Sequence, residues 1–187
     1  GGSISAYVGA LGISLGTMVA NLSSNRRVWD DRWEEFGTWA EKGQSIKNQL
    51  LKLVDEDTRS FNAIIQAIRL PKSSDAEKAK RHQAIQDATK YAIEVPFTVM
   101  QASLDSFEVI KAMADFGNPN SVTDAGVGAL CARAAVHGAY MNVQINTMDL
   151  EDKTFVTDIL KRGKEMTEKA DALETEIRAT VNAKIQA

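Results

Sequence analysis

Apolar positions recur along most of this chain at spacings of three and four residues, the period of a helix that buries one face. No stretch alternates strictly between apolar and polar, so nothing in the pattern argues for a strand. Breaker residues divide the pattern into five helical stretches, over residues 4 to 22, 28 to 69, 74 to 115, 122 to 147 and 150 to 184. Pro71 biases Leu70 away from helical angles and closes the second stretch, and Ser74 or Asp75 supplies a cap for the third. Inside the third, Pro96 removes one backbone donor and predicts a kink. Residues 117 to 120 read GNPN, the strongest turn signal in the chain. Long helices joined by short loops predict an all-α fold, an antiparallel bundle of about five helices in one domain over residues 1 to 187.

Composition narrows the picture without changing it. Three prolines and 6% aromatic residues, in a chain rich in Ala, Lys, Glu, Gln and Leu, favour helix. A formal net charge of -3 supplies no general basic field, which argues against a nucleic-acid partner bound by counterion release. One cysteine, Cys131, and two separated histidines, His82 and His137, offer neither an internal disulfide nor a metal-ligand cluster of recognisable spacing. The expected metal content is none, and the expected setting is reducing and cytoplasmic. The opening run ISAYVGALGISLGTMVANL resembles a membrane span, but Ser5, Ser14, Thr17 and several glycines interrupt it, so it reads as a buried helix with no membrane partner. The start, Gly1-Gly2-Ser3, carries no basic segment and reads as a glycine-rich loop cut short.

Two aspartates stand out once residues are placed on helix faces at about 100° each. Taking Asp57 as zero, Ile46, Leu50, Leu53, Phe61, Ile64 and Ile68 all fall within roughly 40°, so this acid occupies the centre of an apolar stripe. Asp55 points elsewhere and is expected to pair with Arg59 at i,i+4. A carboxylate in an apolar stripe costs several kcal/mol unless it is bonded, paired or protonated. Asp57 therefore reads either as a site residue or as a structural acid bonded to the terminus of another helix. Asp124 opens the fourth helix above a strip of small residues, Gly128, Cys131, Ala135, Gly138 and Ala139, with the carboxamides of Asn142 and Asn146 lower down. Ser5, Gly9, Gly12, Gly16 and Ala20 form a matching seam on the first helix, and the two seams are natural packing partners. Asp124 could equally be an ordinary helix-start acid, and Asn118 an ordinary turn residue.

Four segments in order, GGSISAYVGALGISLGTMVANL, LVDEDTRSFNAIIQAIRLPK, IQDATKYAIEVPF and GNPNSVTDAGVGALCARAAVHGAYMNVQIN, resemble the formimidoyltetrahydrofolate cyclodeaminase and methenyltetrahydrofolate cyclohydrolase family. Residues beyond about 150 match only in forming a long helix. The resemblance implies an all-helical, commonly homodimeric folate enzyme that needs no metal or redox cofactor, in some relatives fused or associated with a formimidoyltransferase. It implies closure of the N5-formimino group of tetrahydrofolate onto N10 with loss of ammonia, or interconversion of methenyl- and 10-formyltetrahydrofolate. A third reading is a helical binding or scaffold module without catalysis. Under the first two, Asp57 and Asp124 are the candidate catalytic acids, one facing the cationic carbon and one moving protons. Gly1, Gly2 and Ser3 form a backbone cradle, Arg26 and Arg27 meet the glutamate tail, and Asn118 is a further binding candidate. His137 lies about 140° from Asp124 on its helix and is left out of the site.

Overall fold

The structure, a computed structural model, describes residues 1–25 and 31–186. Five helices follow one another: α1 (Gly2–Ser24), α2 (Trp33–Ile68), α3 (Asp75–Phe116), α4 (Val122–Thr147) and α5 (Lys153–Ile185). No strand occurs among the described residues, in agreement with the all-α reading. Ser74 starts α3 with a reciprocal cap, its hydroxyl accepting from the Glu77 amide at 3.2 Å while the Glu77 carboxylate accepts from the Ser74 amide at 2.9 Å. α3 continues through a buried Pro96 as one helix. A single 3₁₀ turn (Pro119–Ser121), with Asn118 as its cap, delivers the chain into α4.

α1 lies at the centre, packed against α2, α3 and α4, and α5 covers α3 and α4. By length and composition α1 could cross a membrane, yet 56% of its apolar window is buried inside this bundle. Small residues make that burial achievable. A Cβ on Gly12 would lie 2.8 Å from the Gly128 carbonyl oxygen, and one on Gly128 would lie 2.9 Å from the carbonyl oxygen of Gly12. Backbone therefore meets backbone here, and the two seams seen in sequence are partners. Farther along, the Gly138 position touches Ser5 and the Gly9 position touches Ala135, so α1 and α4 run antiparallel. Cys131 belongs to this seam, and burial pushes its thiol up.

Larger side chains fill the rest of the core, among them Phe36, Leu50, Ile93, Met100, Phe107, Ile110 and Ile177. The expected Asp55 to Arg59 pair does not form. Arg59 instead reaches Glu56, three residues before it, at 2.9 Å, on a carboxylate that also accepts from Tyr91. The apolar stripe of α2 is buried only along its first half: Ile46, Leu50 and Leu53 are covered, whereas Phe61 is 61% and Ile68 46% exposed.

Candidate active site

That uncovered half of the stripe forms one wall of a cavity. α2 runs beyond the level at which α1 starts, and so does the C-terminal part of α4, leaving between them a hollow of about 320 Å³ floored by Ala92 of α3. The start of α1 contributes Gly1, Gly2 and Ser3; α2 contributes Asp57, Thr58, Ser60, Phe61 and Ile64; α4 contributes Asn142 and Asn146. A second hollow, lined by Ile64, Ile68, Ile85 and Ile145, shares Ile64 and Asn146 with the first and extends it as an apolar groove. Volumes of a few hundred Å³ are typical of small-molecule sites.

Asp57 is held at the mouth of α1. Its Oδ2 accepts from the Ser3 backbone amide at 2.8 Å and from the Ser3 hydroxyl at 2.6 Å. A free helix start exposes unpaired amides and the positive end of the macrodipole, so a carboxylate from another helix is stabilised there. The other oxygen, Oδ1, has no hydrogen-bond donor among the described residues; it lies against Gly2, and Asp57 as a residue lines the cavity. Glycine is required beneath it, since a Cβ on Gly2 would stand 2.7 Å from Asp57 Cγ and closer still to Oδ1. One reading of Asp57 offered by the sequence, an acid bonded to another helix's terminus, is thus present in the structure, and it coexists with a place on the cavity wall.

Two further features fix the walls. Tyr91, next to Ala92 in α3, donates its hydroxyl to Glu56 Oε1, tying α3 to α2 one residue from Asp57. This bond, helped by Arg59, holds the Glu56 carboxyl below its usual range; the same bond, with burial, pushes the Tyr91 phenol up. On α4, Asn146 donates its amide to the Ala92 carbonyl at 2.7 Å, and Asn142 donates to the Gly138 carbonyl at 2.8 Å. These two carboxamides were visible in the sequence as polar residues low on the small-residue face. Nothing in that pattern marked them as cavity walls.

The structure brings Gly1, Gly2, Ser3 and Asp57 together, and it places the other sequence candidates elsewhere. Asp124 stands in the first turn of α4, while the cavity meets α4 at Asn142; at a rise of about 1.5 Å per residue the two levels are roughly 27 Å apart. Within one chain Asp57 and Asp124 do not converge. Asn118 shares the far end with Asp124, its amide donating to Ser23 Oγ at 2.8 Å near the end of α1. Arg26 and Arg27 lie outside the described residues. His137 faces α5, where its Nε2 and Arg133 Nε lie 2.9 and 2.5 Å from Asp171 Oδ1. Against the opposing effect of partial burial, His137 and Arg133 hold the Asp171 carboxyl below its usual range.

Comparison with known proteins adds the context of relatives. Residues 1–165 match the sequence model of the formiminotransferase-cyclodeaminase family. A methenyltetrahydrofolate cyclohydrolase from Methylorubrum extorquens is 32% identical over 185 residues, which cover 99% of this chain and 89% of that protein. The formimidoyltransferase-cyclodeaminase of Gallus gallus is 34% identical over 170 residues, covering 91% of this chain but only 31% of the bird protein. The mouse protein of the same name is 34% identical over 155 residues, and the chain again spans less than a third of its length. The crystal structure of a formiminotetrahydrofolate cyclodeaminase from Thermotoga maritima superposes with a TM-score of 0.86 over 98% of this chain and 88% of its own, at 24% identity, which establishes a shared fold.

Proposed function

Since the chain belongs to the formiminotransferase-cyclodeaminase family and is an enzyme of folate one-carbon metabolism, we propose that it is a formimidoyltetrahydrofolate cyclodeaminase. The observation that carries this reading is Asp57 on the wall of a cavity of about 320 Å³, with one carboxylate oxygen that accepts from no donor among the described residues. The N5-formimino group is an amidine that carries a proton in neutral water. A carboxylate with one oxygen fixed by Ser3 and one left without a donor is matched to such a donor-bearing cation.

The proton inventory closes with this one acid. N10 attacks the amidinium carbon with its lone pair, the C=N bond to the formimino nitrogen becomes single, and a tetrahedral carbon bridges N5 and N10. Asp57 takes the proton that N10 sheds and delivers it to the amino group. The C–N bond to that group then breaks, ammonia leaves with the bonding pair, and the methenyl cation keeps the single positive charge. The chemistry is proton transfer throughout and calls on no metal or redox cofactor. The isoleucine-lined groove beyond Asn146 accommodates the aminobenzoyl part of the folate in this reading.

A second reading, methenyltetrahydrofolate cyclohydrolase, is favoured by the alignment with the Methylorubrum protein over nearly all of this chain. It uses the same tetrahedral carbon with water as the entering group. Asp124 and Asn118 enter either scheme only from a second copy, in a homodimer. Following ammonia release and methenyl absorbance together from 5-formimidoyltetrahydrofolate separates the two activities. Asp57→Asn keeps an acceptor for Ser3 but removes the base, and should lower turnover by about 10²-fold or more with the helical circular dichroism unchanged. Turnover within about threefold of wild type would remove Asp57 from the chemistry.

A further inference from the structure

Asn142 and Asn146 stand one turn apart on α4, both on the cavity wall, and their amide groups are already committed. The acceptors that receive them, the carbonyl oxygens of Gly138 and Ala92, accept only, so the NH₂ of each carboxamide must face the backbone. That settles the orientation of both side chains. Each is left with a carbonyl oxygen that receives no hydrogen bond from the described residues. With Asp57 Oδ1 they make three acceptors without donors, on three residues that line one hollow. On α2 the Ser60 hydroxyl is spent on the Asp57 carbonyl at 2.8 Å. Unfilled acceptors in a partly enclosed wall select against ligands that cannot supply donors.

We propose that Asn142 and Asn146 are specificity-determining residues whose carbonyl oxygens read the N–H edge of a planar heterocycle, the 2-amino-4-oxopyrimidine ring of a reduced pterin. The assignment rests on the folate reading above and extends it by giving the ring an orientation. Residues one turn apart on a helix have Cβ atoms about 5–6 Å from each other, so the two oxygens address different N–H groups of one ring rather than the same one. With the ring's donor edge against α4, its other side faces Asp57 on α2, where the one-carbon unit is handled.

The test is a cycle between side chain and ligand group, measured by titration calorimetry with tetrahydrofolate and with its 2-deamino-2-methyl analogue, which lacks the amino donors. The wild-type protein should bind the analogue roughly 5- to 100-fold more weakly, the range expected when a buried acceptor loses its donor. Either Asn142→Leu or Asn146→Leu should bind the two ligands within about threefold of each other, identifying which oxygen reads the amino group. Asn146→Asp keeps an acceptor while losing the bond to Ala92; it should retain the discrimination, which a purely structural role for Asn146 would not produce. The proposal is overturned if wild type does not discriminate, or if discrimination survives in both leucine variants, and in either case tetrahydrofolate binding and Asp57-dependent turnover leave the folate reading standing. Failure of the wild-type protein to bind tetrahydrofolate at all would remove both.

Discussion

At the scale of single residues, the site depends on an atom that is missing. Asp57 can lie across the start of α1 because Gly2 has no Cβ; an added methyl would overlap Oδ1 and stand 2.7 Å from Cγ. The carboxylate cannot yield while keeping both bonds to Ser3, at 2.8 and 2.6 Å. Gly2→Ala should therefore shift the acid by an ångström or so and lower turnover by about 10- to 100-fold, the scale on which misplaced groups fail. Alanine is tolerated in the first turn of a helix, so the helical circular dichroism should stay near wild type, while the melting temperature falls modestly as the Ser3 bonds weaken. Unchanged turnover would mean that the exact place of the Asp57 carboxylate is immaterial. The centrality of Asp57 was legible in the sequence, because a carboxylate in the middle of an apolar stripe has to be explained. Its partner was not legible, since Ser3 is 54 positions away and no rotation angle within α2 reaches it.

At the scale of elements, the antiparallel α1 and α4 are held at backbone contact, and the sequence carried that information in its small residues. The limits of α4 were also clear, because GNPN ends one helix and opens the next. What periodicity could not supply was height. Faces follow from 100° steps, but whether two acids meet depends on the sense in which helices pack, and the antiparallel α1 and α4 leave Asp124 at the end away from the cavity. A pair of glycine substitutions tests the contact. Gly128→Ala puts a methyl 2.9 Å from the Gly12 carbonyl oxygen, where only helix separation can relieve it, and should cost about 1–3 kcal/mol in chemical denaturation. Gly37→Ala, in α2 with nothing within 4 Å of the added atom, should instead gain about 0.4–1 kcal/mol. Equal effects of the two changes would show that α1 and α4 are not in fact held together by this close approach.

At the scale of the whole molecule, one surface is left apolar. Ile4, Tyr7, Leu11, Met18 and Leu22 along α1, with Val127, Leu130, Met141 and Ile145 along α4, are exposed large side chains on two adjacent helices. Patches of this kind are uncommon on isolated chains and mark contact surfaces. A two-fold axis lying across the stripe pairs it with itself, reversing the helix direction from one copy to the other. In a dimer so formed the Asp124 end of each copy would approach the Asp57 end of its partner, an arrangement in which both sequence candidates could serve a single site. This predicts complementation. Where Asp124 assists the partner's Asp57, Asp57→Asn and Asp124→Asn proteins, each slower than wild type on its own, should recover activity when unfolded together and refolded as a mixture. Random pairing makes half of the dimers mixed, each with one intact site out of two, so about a quarter of wild-type turnover is expected. Adding Leu11→Glu and Leu130→Glu to both chains should abolish the recovery and yield monomers in sedimentation, because charges placed in the stripe oppose its burial. If Asp124→Asn alone is fully active, or if the mixture stays inactive while sedimenting as a dimer, Asp124 has no part in the chemistry, and Asp57 with Ser3 and the two asparagines of α4 must carry the reaction within one chain.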